Sequence, residues 1–314
     1  MKHELLLAPL QSYTDHHFRN AFQQFFGGVD QFYAPYLRMS HDGLIKEGPK
    51  IDVLPENNPY EPVIPQIMAC CPEDFLVMAT YLTDLGYTEI NWNMGCPYPM
   101  VATRDLGSGI LNKPDKICGM IEAILPKMDA GLSIKMRMGY ETTEDILALF
   151  PRLDDYPLNE IIVHARYGKQ LYNGVCDHDR FGQCIPLTKH KLAYNGDITS
   201  VKTFRELTQR FPTIRRWMIG RGAVSNPFLF EMIEDDTTEY PDDRNEVLLE
   251  FVEELLAGYL RQSGNAGNAL NKIKSYWEYF AESFENGRSY YRKIRKAKTL
   301  PEYEKILTTL FDEE

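Results

Sequence analysis

A cysteine lies in the segment Asn93-Met94-Gly95-Cys96-Pro97, directly after the apolar run from Tyr87 to Trp92. Such a run reads as a buried strand, and Gly95 and Pro97 break it. Cys96 is therefore expected on a loop just past a strand end, where a rigid sheet positions a reactive thiol. A cysteine used only for packing belongs inside the apolar run instead. Other chemistry-bearing residues recur at the ends of apolar runs: Ala8-Pro9-Leu10-Gln11, Gln66, Asn91 and Asn93, Lys135 and Arg137, His164-Ala165-Arg166, Asn195-Gly196-Asp197 and Gly220-Arg221-Gly222. Each has a plainer alternative. Gln66 can cap a backbone group, His164 can be a hydrogen-bonded core histidine, and Asn195-Gly196-Asp197 can be a turn. Lys135 is harder to dismiss, because an isolated charge inside a strand covered on both faces is very costly. The glycines flanking Arg221 let backbone amides approach a ligand. Taken together these residues describe a basic, polar mouth with a phosphate cradle, which suits a phosphorylated planar cofactor such as FMN.

The elements that must position these groups alternate. Strand-like runs cover 4–10, 31–37, 62–68, 88–93, 132–138, 160–165, 191–195 and 216–219, beginning at intervals of about 30 residues, the length of a strand plus a returning helix. Helical patterns cover 15–26 (after a Thr14 cap), 72–85, 115–128, 143–153, 200–211 and 226–233. Proline opens the second of these and Gly86 stops it. The fold class is therefore α/β, a (β/α)8 TIM barrel over residues 1–240, with chemistry at the C-terminal ends of its strands. A doubly wound open sheet is the alternative, weakened by the absence of a GxGxxG after the first run. Beyond the Tyr240-Pro241-Asp242-Asp243 hinge the pattern becomes all-helical, at 242–262, 269–285, 289–298 and 301–311. Residues 241–314 thus read as a small helical C-terminal domain.

The chain has 314 residues and no apolar run near the roughly 18 needed to span a membrane. Without room for a signal peptide, a cytoplasmic protein is expected. Six scattered cysteines make no disulfide framework, and no metal site is expected at Cys176, His178 and Cys184. The net charge of −11 argues by itself against a nucleic-acid partner. Yet Arg288, Arg292, Lys293, Arg295, Lys296 and Lys298 place six basic residues within eleven, and helical spacing puts Arg288, Arg292 and Arg295 on one face.

The chain resembles the tRNA-dihydrouridine synthases. The resemblance runs from Leu6-Leu-Ala-Pro-Leu-Gln-Ser-Tyr-Thr-Asp-His-His-Phe-Arg19 through the NMGCP segment, Gly107-Ser108-Gly109, the Lys135 strand, His164-Ala-Arg166 and Asn195-Gly-Asp197 to Gly220-Arg-Gly-Ala223. It implies FMN bound by Ala8, Pro9, Leu10, Gln66, Lys135, His164, Asn195, Gly196, Asp197, Gly220 and Arg221. It implies Cys96 as the acid that protonates carbon 5 of uracil, with Asn93 and Arg137 facing the base or RNA. It further implies NADPH as electron donor and tRNA as partner, held in part by the basic run; a monomer is expected. A free thiol, with a pKa near 8.5, is mostly protonated at neutral pH and suits the acid role. The sequence departs from the family pattern at Ala69, Trp92 and Met100, which bear on substrate position and loop geometry. Three other readings stay open: a barrel oxidoreductase acting on a small molecule, as dihydroorotate dehydrogenases do; a flavoenzyme modifying another structured RNA; and an RNA-binding protein on a decayed scaffold. The last predicts loss of Cys96 or Lys135, and both are present.

Overall fold

A computed structural model describes residues 2–60 and 63–313. Among the described residues nine parallel strands form one sheet: β1 (Glu4–Leu7), β2 (Gln31–Tyr33), β3 (Val63–Ile64), β4 (Gln66–Ile67), β5 (Glu89–Met94), β6 (Gly131–Arg137), β7 (Ile161–His164), β8 (Leu192–Asn195) and β9 (Arg216–Ile219). Their order is β3-β2-β1-β9-β8-β7-β6-β5-β4. β3 and β4 stand at opposite ends of that order, yet only Pro65 separates them in the chain. Proline has no N–H to give a ladder, so β3 pairs with β2 while β4 pairs with β5. The interrupted strand closes the sheet into the expected TIM-type barrel. The expected strand 62–68 begins at Pro62, which lies outside the described residues.

Strand pleating sorts the side chains with a period of two. Leu5 and Leu7 of β1 join the large core beneath the helices, while Leu6 and Ala8 join a separate cluster with Ile64, Ile162, Ala193 and Met218 that fills the barrel. On β5 the inward set is Asn91 and Asn93; on β6 it is Ser133, Lys135 and Arg137. Inside the barrel, Gln66 donates to Asn91 Oδ1 at 2.7 Å, and Asn91 donates to Ser133 Oγ at 3.0 Å. At the floor, Glu160 accepts from Tyr33 and pairs with Arg216. Buried polar groups are tolerable here because each finds a partner.

Helices His16–Phe25, Pro72–Asp84, Pro114–Ile124, Asp145–Leu153, Val201–Arg210 and Leu229–Glu234 cover the barrel, close to their expected spans. Three details differ. The first helix is capped by Asp15, whose carboxylate accepts from Phe18 N at 3.1 Å; Thr14 instead ties the preceding loop, accepting from Leu10 N at 2.8 Å and donating to Ala8 O at 3.1 Å. An unanticipated short helix, His178–Cys184, follows β7. Its seven residues are too few for a clear periodicity, and its start is set by Asp177 capping Arg180 N at 2.9 Å. After β9 the chain turns into a helix at once, Arg221–Ser225, rather than near Asn226.

The C-terminal region forms helices Arg244–Ser263, Ala266–Phe280, Gly287–Lys296 and Leu300–Glu313. The first two of these pack apolar side chains on the first barrel helix. Phe18 meets Phe251 edge-on at 5.7 Å and stacks on Tyr276 at the same distance. Aromatic pairs of this geometry add to the area they bury. Among the described residues no helix is long and apolar enough to cross a membrane.

Candidate active site

Asn93, near the end of β5, organises the loop that carries the thiol. Its Oδ1 accepts the backbone N–H groups of both Gly95 and Cys96 at 3.0 Å, and its Nδ2 donates to Gln66 Oε1 at 2.7 Å. The carbonyl of Cys96 accepts from Ser108 N at 2.9 Å and Ser108 Oγ at 3.1 Å. Arg137 Nε reaches Gly95 O at 3.1 Å. The cysteine backbone is thus held from both sides. Gly107 supplies the last requirement: at φ +55° it approaches so closely that a Cβ there lies 2.5 Å from Cys96 O. The Cys96 side chain is nearly buried, and Tyr36 Oη lies 3.9 Å from its Sγ.

Across the mouth the groups are cationic. Lys135 Nζ donates to Asn195 Oδ1 at 3.0 Å, and Asn195 Nδ2 donates to Met218 O at 2.8 Å. Burial, and then the neighbouring Arg137, lower the Lys135 ammonium to about 7. Burial and then Arg137 and Lys135 hold His164 well below the ordinary histidine value, so its ring is neutral. Asp197 accepts from Arg166 at 2.9 and 2.5 Å and from Arg221 at 2.9 Å. Burial opposes its ionisation, but Arg166 and then Arg221 keep its pKa below the usual carboxylate value. Gly196, at φ +148°, leaves no room for a side chain, since a Cβ there sits 2.7 Å from Cys176 Sγ. Two guanidinium groups approach the Tyr172 ring, Arg221 at 4.6 Å and Arg137 at 5.2 Å from its centre.

One cavity of about 270 Å³ gathers these groups. Ala8, Pro9, Leu10, Asn93, Cys96, Lys135, Arg137, His164, Asn195, Gly196, Asp197, Gly220 and Arg221 all line it. Gln66 does not line it; it is fully buried one layer below, with both ends of its amide engaged by Asn91 and Asn93. Arg137 lines it but is largely committed, since its guanidinium also donates to Tyr167 O at 2.9 Å and Leu171 O at 2.6 Å. Arg288, Arg292 and Arg295 lie away from the cavity, exposed on helix Gly287–Lys296, whose opposite face buries Tyr290 and Ile294. Residues not anticipated also contribute: Tyr13, Tyr36, Tyr98, Tyr172, Tyr279 and Glu282 line the cavity. Arg166, singled out at its strand end, pairs with Asp197.

The family model for dihydrouridine synthase matches residues 6–313, nearly the whole chain. The chain belongs to the dihydrouridine synthase family. Members are FMN-dependent oxidoreductases, and the chain is an oxidoreductase of that kind. A probable tRNA-dihydrouridine synthase of Helicobacter pylori is 28% identical over 260 residues, 81% of this chain and 77% of the relative. A tRNA-dihydrouridine(20/20a) synthase of Synechocystis is 25% identical over 288 residues, 86% of this chain and 81% of the relative. In fold, the chain is similar to histamine dehydrogenase from a Rhizobium species, with a TM-score of 0.56 at 9% identity, covering 87% of this chain and 49% of that one. That likeness concerns the fold alone.

Proposed function

We propose that this dihydrouridine synthase family member reduces the carbon 5–carbon 6 double bond of uridines in tRNA, with NADPH as electron source and Cys96 as proton donor. The observation that carries the reading is a single cavity lined by a clamped, nearly buried thiol on one side and by Lys135, His164 and Arg221 on the other. The charge balance there fits FMN. Asp197 is shared by Arg166 and Arg221, and the partner of Lys135 is an amide rather than a carboxylate. That leaves a positive surplus which a phosphate offsets. The residues that would hold the cofactor are Ala8, Pro9 and Leu10 from the loop after β1, Lys135, His164, the Asn195–Asp197 turn, Gly220 and Arg221. Gln66 would act from below, through Asn93. Bound there, FMN supplies the hydride that reduces carbon 6 of the uracil.

The chain's own groups do the rest. Lys135 places positive charge next to the reacting centre. Cys96 Sγ delivers a proton to carbon 5, and solvent restores it. Asn93 and Ser108 hold the backbone that carries Sγ while this occurs. The target uridine must leave its stack to enter such a cavity. Residues 1–240 would form the catalytic domain and 241–314 the RNA-binding domain. Arg288, Arg292 and Arg295 share one exposed face of their helix and would track the RNA backbone, which reconciles a net charge of −11 with a polyanionic partner. The test is dihydrouridine mapping of cellular RNA with and without the gene. Loss of the modified base at particular tRNA positions is expected; an unchanged map overturns the assignment.

A further inference from the structure

The rim of the cavity carries tyrosines from separate segments. Tyr13 comes from the loop after β1, Tyr98 from the loop two residues past Cys96, and Tyr279 from helix Ala266–Phe280. Tyr13 and Tyr279 meet edge to face with ring centres 5.0 Å apart. Tyr276 packs edge-on against Tyr13 at 5.5 Å, and its hydroxyl donates to the Tyr13 carbonyl. That wall is therefore fixed. Tyr98 is not enclosed in this way: it is 57% exposed, and Met100 beside it is 84% exposed. Val101 and Ala102 on the same short turn are buried and anchor it. Tyr98 lines the same cavity as Cys96 and Tyr172, and partial burial, then those two neighbours, raise its phenol.

Singly exposed apolar residues need no explanation, but an exposed ring on the rim of the cavity and an exposed thioether on the same turn, two to four residues past a buried thiol, make an apolar lip beside a polar site. Neither Tyr98 nor Met100 carries charge, so the lip does not address a phosphate. A base face is the matching surface, because aromatic side chains bind unpaired bases by stacking whatever the sequence. Extruding one uridine into the cavity leaves its neighbour without a stacking partner. We propose that Tyr98, with Met100 on the same short turn and Tyr13 and Tyr279 lining the same cavity, clamps the nucleobase adjacent to the reacting uridine. This rests on the RNA reading given above.

The test measures affinity for unmodified tRNA across a salt series, using flavin-loaded wild-type, Tyr98→Ala and Tyr98→Phe proteins, with flavin content checked by absorbance. Loss of a stacked base is expected to weaken binding by Tyr98→Ala about 5- to 100-fold. The log–log salt slope stays unchanged, because every cation that meets a phosphate is retained. Tyr98→Phe keeps the ring and stays within about threefold of wild type. Equal affinity of Tyr98→Ala and wild type overturns the clamp, as does an equal loss in both variants, which assigns the effect to the hydroxyl. A rise confined to the KM for NADPH also overturns it, by placing the nicotinamide nucleotide on the ring. In these three cases wild-type protein still converts tRNA. If wild type neither binds nor converts tRNA, the RNA reading itself fails, and the clamp with it.

Discussion

Replacing Gly107 with alanine isolates the role of the cysteine's position. Gly107 sits at φ +55°, and an added Cβ lies 2.5 Å from Cys96 O and 2.8 Å from Cys96 Cβ. Ordinary contact begins at 3.4 Å, so the Cys96 backbone must retreat by about 0.9 Å (3.4 − 2.5). Two hydrogen bonds from Ser108 to that carbonyl are stretched in the process, each worth about 1 kcal/mol. The left-handed conformation costs a further ~1–2 kcal/mol for a residue with a Cβ. The expected loss of stability is thus about 2–4 kcal/mol, measured by denaturant unfolding. A displacement near 1 Å at a reacting group typically lowers the rate about 100-fold. Gly264→Ala is the control. It has nearly the same φ, +58°, but nothing within 4 Å of its added Cβ, so it bears the conformational cost alone. Single-turnover formation of dihydrouridine at saturating tRNA, normalised to flavin content, reads the difference. Gly264→Ala should keep the wild-type rate while Gly107→Ala loses about two orders of magnitude. If Gly107→Ala keeps the wild-type rate, the placement of Cys96 is not what limits proton delivery, and the reasoning is refuted.

Four further outcomes are expected. Cys96→Ala keeps fold, flavin and NADPH oxidation but loses about 10²- to 10⁴-fold in dihydrouridine formation; wild-type turnover would make the thiol structural. Arg221→Ala leaves Asp197 paired with Arg166 alone and removes a cation from the mouth, weakening FMN binding by about 1.5–3 kcal/mol in a flavin titration; undiminished affinity counts against the phosphate cradle. Lys135 is depressed to about 7 in the fold from an ordinary 10.5, so between these values the unfolded chain binds more protons than the folded one. The stability of flavin-free protein should therefore rise with pH across that window and the rise should shrink in Lys135→Met, as unfolding at pH 7 and 10 will show. Reversing Arg292 and Arg295 to glutamate should weaken tRNA binding and flatten the log–log salt slope by roughly 0.7–0.9 for each phosphate no longer neutralised, with flavin content unchanged; parallel lines of equal affinity would place the RNA elsewhere.

Strand periodicity explains why so much of the site could be read in advance. In Ser133-Ile134-Lys135-Met136-Arg137 the polar residues fall on alternate positions, so the pleat that buries Ile134 and Met136 under the helices turns Lys135 and Arg137 into the barrel. The strand register sets His164 beside Asn195 and Asn195 beside Met218, two residues before Gly220. What periodicity cannot give is which partner a polar side chain takes. Gln66 is drawn below the cavity because Asn91 and Asn93, two strand positions apart, satisfy both ends of its amide. Adjacent Thr14 and Asp15 both suit a helix cap, and only the folded loop decides that Thr14 faces backward. Tyr13, Tyr98 and Tyr279 carry no shared spacing, since they meet only after the C-terminal helices fold over the mouth.

That last meeting depends on Asp15, and it ties the two regions of the chain together. Asp15 caps the first barrel helix through Phe18 N, and its carboxylate also accepts from Tyr259 Oη at 2.8 Å and pairs with Lys272 at 2.9 Å. Burial opposes its charge, but Lys272 overrides it and holds the pKa below the usual value. Lys272 in turn donates to Ser12 O at 2.7 Å, on a residue held at φ +69°. Tyr276 links to Tyr259 at 2.7 Å and to the carbonyl of Tyr13. A buried ion pair is weak evidence for stability but well suited to fixing register, because any other docking leaves a buried charge unpaired. The register fixed here is that of helices Arg244–Ser263 and Ala266–Phe280 against the loop that runs from Pro9 to Thr14. The same loop lines the cavity through Pro9, Leu10 and Tyr13. A movement of helices Arg244–Ser263 and Ala266–Phe280 is therefore felt at the cavity wall without passing through the barrel, because the loop they dock on also lines the pocket that would carry FMN.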